Sequence, residues 1–286
     1  MGKWERMIQM KSDGGRWRCG NIFITGTSVR KESPKKIPHL NMRNFLPVFL
    51  SCLLAAQVSA SFTRENMAQI SDQFPAPAEM AGAMAAKYKT VAIDSFIPAS
   101  VPDTFSSREK RLLLLGGLFF DASFYAETAN WEPLLKHLVA IKRMTKSLHL
   151  PFREDLPARI MLNNKIRDSL VALMNNYHNV VLDSMLDGTG DNPLYFSTGV
   201  LFECAYIASR SIPASLLAES EYMFFLRSHF ENLYASVLRD EATTLKDPAF
   251  ELMKLLQQTS GDSVRISALR LQIQETTAKS RRHFYK

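Results

Sequence analysis

Apolar positions recur at three- and four-residue intervals along most of the chain. Trp131, Leu134, Leu138, Ile141 and Thr145 follow a start signal at Asn130, with Glu132 and Pro133 in the first turn. They predict a helix that runs to Leu148 and is closed by Pro151. A second stripe, Ile166, Leu170, Leu173, Tyr177, Val180 and Ser184, ends at Asp187-Gly188-Thr189-Gly190. A third, Leu226, Phe230, Leu233 and Val237, belongs to a helix expected over about 216–242. Weaker helices are expected over 248–258 and 264–282, the last as an amphipathic lid on one side of the core. Short ones are expected over 78–87, after Phe74-Pro75-Ala76-Pro77, and over 154–163. No run of four to eight residues alternates apolar and polar between turn signals, so little β structure is expected.

Two segments break the amphipathic pattern. Residues 112–126 read Leu-Leu-Leu-Leu-Gly-Gly-Leu-Phe-Phe-Asp-Ala-Ser-Phe-Tyr-Ala, and residues 196–208 read Phe-Ser-Thr-Gly-Val-Leu-Phe-Glu-Cys-Ala-Tyr-Ile-Ala. Helices that are apolar around most of their circumference are buried on all sides. Each carries glycine about one turn before a single acid: Gly116 and Gly117 before Asp121, Gly199 before Glu203. Glycine inside a helix costs about 1 kcal/mol relative to alanine, and close approach of two backbones is the usual compensation. The expected fold is therefore an all-α, single-domain bundle of about seven to nine helices, with these two as its central buried pair.

Charge divides the chain unevenly. The net charge of +7 over 286 residues lies wholly in residues 1–60, which hold ten Lys/Arg and three acids. The remaining 226 residues carry 25 basic and 25 acidic side chains. From Met42 the sequence reads Met-Arg-Asn, an apolar run from Phe45 to Ala56, then Gln57-Val58-Ser59-Ala60. A short positive segment, about a dozen apolar residues and an A-x-A-like site make a secretory signal, too short to cross a membrane. Residues 42–60 are read as this signal, and 61–286 as the mature helical domain. Residues 1–41, without periodicity, are read as an over-extended start or a solvated basic extension. Cys52 follows Phe49-Leu50-Ser51 in the manner of a lipid-anchor cysteine, but the apolar run continues past it, so cleavage after Ala60 is the favoured alternative.

Composition then removes several function classes. Of the three cysteines, Cys19 and Cys52 fall in the leader, and Cys204 stands in an apolar stretch as a buried, inert thiol. A mature chain of zero net charge lacks the sustained basic face that nucleic acid requires. Its most basic cluster, Lys279-Ser280-Arg281-Arg282-His283, is read as a solvated helix end. There is no H-E-x-x-H, G-x-x-x-x-G-K-[ST], G-x-S-x-G or C-x-x-C. His137, His149, His178, His229 and His283 lack metal-site spacing, and Asp187-Gly-Thr-Gly-Asp191-Asn192 lacks the acid at position 12 of a calcium loop, where Thr198 falls. No metal or cofactor is expected.

The candidate chemistry is thus the pair of buried acids. A carboxylate in an apolar interior must be paired, hydrogen-bonded or protonated. Ser123, Tyr125, Arg167, His178 and Tyr206 are the donors expected around Asp121 and Glu203, in an interior polar cluster that fixes helix register. The alternatives are a ligand pocket between helices and an acid/base enzyme using Asp121 and Glu203.

Four features carry a resemblance. They are Phe74-Pro75-x-Pro77-x-Glu79; Leu115-Gly116 followed by Asp121-Ala122-Ser123-Phe124; Asn163 with Arg167-Asp168-Ser169-Leu170; and Gly199 with Glu203 and Tyr206. In order and spacing the chain resembles a family of uncharacterised, exported, all-helical bacterial proteins, many of them periplasmic or lipoproteins. That family pattern has Trp near Leu201, Tyr near Leu118 and Gly at Cys204, where this chain differs. The resemblance implies a helical bundle and export and no particular activity. The resulting expectation is an envelope protein that binds an unknown ligand or another envelope protein, without a transmembrane helix in the mature chain.

Overall fold

The computed structural model describes residues 68–69, 72–87, 96–100, 107–187, 193–213, 221–239, 243–258 and 263–285. Among them are nine helices: α1 (Pro77–Lys87), α2 (Arg108–Glu127), α3 (Trp131–Leu148), α4 (Leu156–Leu162), α5 (Arg167–Leu186), α6 (Pro193–Ser211), α7 (Glu221–Arg239), α8 (Thr243–Gln257) and α9 (Ser263–Tyr285). No strand occurs among the described residues. The chain is an all-α bundle, and every one of these helices lies in the compact unit 52–286. The signal-like segment, Cys19 and Cys52 lie outside the described residues, as does the calcium-like turn beyond Asp187.

The centre is the α2–α6 pair, the most extensively packed in the bundle. Every residue of α2 from Leu112 to Glu127 is buried, and so is most of α6, from Pro193 to Ser209. The two backbones touch. A Cβ on Gly116 would lie 2.0 Å from the Phe196 carbonyl oxygen, and one on Gly199 would lie 1.9 Å from that of Leu113. No side chain fits there, which accounts for two glycines inside helices that they weaken.

The other helices wrap this pair. α1, α3 and α5 pack on α2, α7 on α6, and α8 on α7, while α9 closes over α6 and α8 and reaches α2. The first stripe lies where its spacing puts it, α3 burying Leu134, Leu138, Ile141 and Thr145. The second holds only in its middle, α5 burying Leu170, Leu173 and Tyr177 while Ile166 and Val180 are exposed and Val181 and Met185 turn inward instead. Helix ends are tied to neighbours. α3 ends at His149 in the left-handed region (φ 60°), and its last carbonyls receive cations from the start of α2. Arg108 Nη2 donates to Leu148 O and Arg111 Nη1 to Ser147 O, each at 2.9 Å. This satisfies orphan carbonyls with the charge that the helix dipole favours.

Two expectations need correction. The helix expected from Pro248 begins at Thr243 and contains the proline. Leu245, Ala249, Leu252 and Leu256 form one buried stripe, and burying Leu245 offsets the backbone bond that Pro248 cannot make. The basic run near the C-terminus is not uniformly solvated either. α9 turns Leu269, Ile273, Thr277 and Ser280 inward, and Arg281 follows them, with its side chain only 15% exposed.

The crossing yields a prediction. Gly116→Ala and Gly199→Ala each gain helix propensity but drive a methyl into a backbone carbonyl. Each should lose about 3 kcal/mol or more of unfolding free energy by urea titration. Gly82→Ala, whose Cβ would meet only the end of the Glu127 side chain (Oε1 at 2.9 Å), should cost much less.

Candidate functional site

Asp121 stands five residues after Gly116 and Glu203 four after Gly199, so both acids leave the crossing about one turn beyond the touching backbones. Both have 0% exposure. Sequence spacing identified the two acids; their partners are largely different from those expected.

Asp121 is held by a short segment, residues 96–100, lying over α2 and α3. The Ile97 N–H donates to Asp121 Oδ2 at 2.8 Å. The Ile97 carbonyl faces His137 Nε2 at 3.0 Å, and the same nitrogen is 3.9 Å from Asp121 Oδ2. His137 Nδ1 faces the Pro133 carbonyl, also at 3.0 Å. Phe96 packs edge-on against Phe124 and Tyr125, and Arg143 Nη2 donates to Ala99 O at 2.8 Å. One carboxylate oxygen, one imidazole and two aromatic rings thereby anchor a stretch that has no helix of its own.

Glu203 is met by α9. Arg281 enters from α9 and places Nε 3.0 Å from Glu203 Oε2. Its guanidinium lies over the Tyr206 ring, Cζ to centroid 4.4 Å, while Arg210 approaches the same ring at 5.5 Å. α9 is further fastened to the end of α6 by Arg270 and Gln274, whose side chains donate to Ser209 O at 2.8 and 2.7 Å. These bonds satisfy a carbonyl in the last turn of α6, where no backbone donor follows.

The remaining expected residues have other tasks. Arg167 does not reach the acid pair. It is the first residue of α5 and clamps Glu127, the last of α2, through Nε (3.0 Å) and Nη2 (2.5 Å) to Oε2. Asp121 lies six residues back, about 9 Å along the helix. Tyr125 packs its ring on Phe96 and on His137. Ser123 is buried within α2. His178 packs on Phe119 and Phe196, and its Nδ1 faces Asn179 Oδ1 at 3.2 Å. Tyr206 belongs to the cluster through Arg281.

Sequence reasoning missed three participants. Arg281 lies at i+4 and i+8 from the buried Thr277 and Ile273, a signal obscured by counting it within a basic run. His137 shares the inward face of α3 with Leu134, Leu138 and Ile141. Ile97 contributes only backbone, for which no residue type could have served as a sign.

Electrostatics follow from burial. Desolvation pushes the Asp121 carboxyl well above the ordinary aspartate range, and the Glu203 charge pushes the same way. Arg281 and the Ile97 N–H pull it back only in part. Burial holds the His137 imidazole below its ordinary value, against the pull of its two carbonyl contacts. Both acids are sealed from solvent, so neither can meet a substrate in this conformation. A cavity of about 170 Å³ opens elsewhere, lined among the described residues by Gln258, Ala268, Leu269 and Gln272. No metal-ligating cluster occurs among the described residues.

Neither a family model, nor a curated protein, nor a solved structure matches the chain. The expected outcome of truncation follows from the geometry alone. Glu203→Ala leaves a buried guanidinium without its counterion and should cost about 3–5 kcal/mol in urea unfolding. Asp121→Ala strips the Ile97 N–H of its acceptor and should cost about 1–3 kcal/mol. Unchanged unfolding midpoints for both would mean that the carboxylates are solvated.

Proposed function

We propose that the chain is an exported, non-enzymatic helical-bundle protein of the bacterial envelope that acts as a binding or scaffold module. In this proposal the Asp121–Glu203–Arg281 cluster serves the fold and not turnover. One observation carries it: both candidate acid/base groups have 0% exposure and are already engaged, Asp121 by Ile97 and Glu203 by Arg281. Acid/base catalysis needs a group within hydrogen-bond reach of a substrate proton, and a sealed helix crossing leaves no room for one. The charge-balanced mature chain and the signal-like segment at 42–60 support export of a protein that is not built to hold polyanions. No described helix is long and apolar enough to cross a membrane.

The test is intact-mass and N-terminal analysis of the chain expressed in a bacterial host and recovered from the envelope fraction. The expected species begins at Ser61. A lipid-modified Cys52 would replace a free envelope protein by an anchored one. Recovery of an unprocessed chain from the cytosol alone would overturn export. Native mass spectrometry of the same sample should show either a second copy or a retained ligand, and turnover abolished equally by Asp121→Asn and Glu203→Gln would overturn the non-enzymatic assignment.

A further inference from the structure

The α2–α6 crossing encloses two carboxyl groups and one guanidinium, and their charges do not balance if both acids are ionised. Arg281 is committed to Glu203 at 3.0 Å. His137 offers Asp121 no second balancing contact, because its nearer ring nitrogen faces the Ile97 carbonyl at 3.0 Å and stands 3.9 Å from Oδ2. Asp121 Oδ2 accepts the Ile97 N–H, but Oδ1 is fully buried without a hydrogen-bond partner. An ionised carboxylate would place a bare, negatively charged oxygen out of water there without a hydrogen bond, at a cost of several kcal/mol. A hydroxyl in that position is far easier to bury.

We infer that the crossing is a binding site for one proton: Asp121 is a neutral carboxylic acid at neutral pH, protonated on Oδ1, and Glu203 is the ionised member, held by Arg281. This rests on the sealed, non-catalytic reading of the cluster and gives its two acids different roles. Glu203 carries the charge that anchors α9 to α6, and Asp121 presents a neutral acceptor to the 96–100 segment. The groups that face Asp121 are Glu203 from α6, Arg281 from α9 and His137 from α3, with the Ile97 N–H. From α5, His178 lies against Phe119 and Phe196, and from α1, Gly82 lies against Glu127.

The consequence is a pH dependence with a definite sign. The unfolded chain releases the Asp121 proton near the ordinary aspartate value, whereas the folded chain keeps it well above that. Between the two values the folded state binds one proton more, so stability is greatest at the acid end and declines as pH rises. In that window the folding equilibrium constant loses about tenfold per pH unit through this one group.

The test compares the full wild-type chain with Asp121→Asn, which mimics the neutral acid, by urea unfolding at several pH values from 5.5 to 8. Subtracting the two profiles cancels the histidines and every other titrating group they share. The proposal expects the wild type to lose stability relative to the variant as pH rises, by at most about tenfold per pH unit. It also expects the infrared spectrum of the wild type at pH 7 to show a protonated-carboxyl band that shifts on carboxyl-¹³C labelling of aspartate. Parallel stability profiles would overturn it. So would absence of the band, or a band that shifts only on labelling of glutamate. Should Asp121→Asn fail to fold, the infrared result on the wild type decides alone. Failure of the sealed reading is distinguishable: the alanine variants of both acids would then unfold like the wild type, whatever the infrared spectrum shows.

Discussion

Two peptide backbones in van der Waals contact set the terms for everything else in this bundle. Where α2 meets α6, a carbonyl oxygen of each helix occupies the space in which the other would carry a Cβ. Contact that close leaves no room for a side chain between the helices at Gly116 and Gly199. It also removes the option of solvating any polar side chain that follows on the shared face. Asp121 and Glu203 follow within about one turn, so their charge has to be managed by the protein itself.

That demand accounts for parts of the architecture that look unrelated. The 96–100 segment has no regular hydrogen bonding, yet it is fixed over α2 because its Ile97 amide answers Asp121 and its carbonyl answers His137. α9 is the most polar helix, and the apolar side chains it buries among its described residues are Leu269 and Ile273. It is attached by directed contacts as well: Arg281 to Glu203 and Tyr206, Arg270 and Gln274 to the end of α6. Polar attachment of this kind is specific in register and weak in mere burial, since an ion pair that loses one partner becomes a liability. The identity of the residue at 281 therefore matters more to α9 than its mean hydropathy does.

Legibility in the sequence followed the same physics. Stripes such as Leu134-Leu138-Ile141 and Leu170-Leu173-Tyr177 marked helices because a one-sided core leaves a 3.6-residue period. The Gly-rich, all-apolar segments marked the central pair because only backbone contact explains glycine in so buried a helix. The acids themselves were readable for the same reason. Their partners were not, since a long side chain such as Arg281 acts at a distance from its own helix and a backbone amide such as that of Ile97 leaves no trace in residue type. Arg167 misled because its charge, visible in the sequence, is spent on Glu127 at the far end of α2.

The pairing pattern also separates the two acids in a way that residue type alone does not. A guanidinium can neutralise one carboxylate by ion pairing, and the bundle supplies one such group at Glu203. A backbone N–H lowers the energy of a carboxyl oxygen without cancelling its charge, and this is what Asp121 receives. Carboxyls treated so differently do not stay equivalent. The one facing Arg281 keeps its charge and ties α9 to the centre, and the one facing Ile97 sheds its charge and holds the 96–100 segment. A helix crossing that excludes water thus distinguishes an ion from an acid by the reach of one arginine.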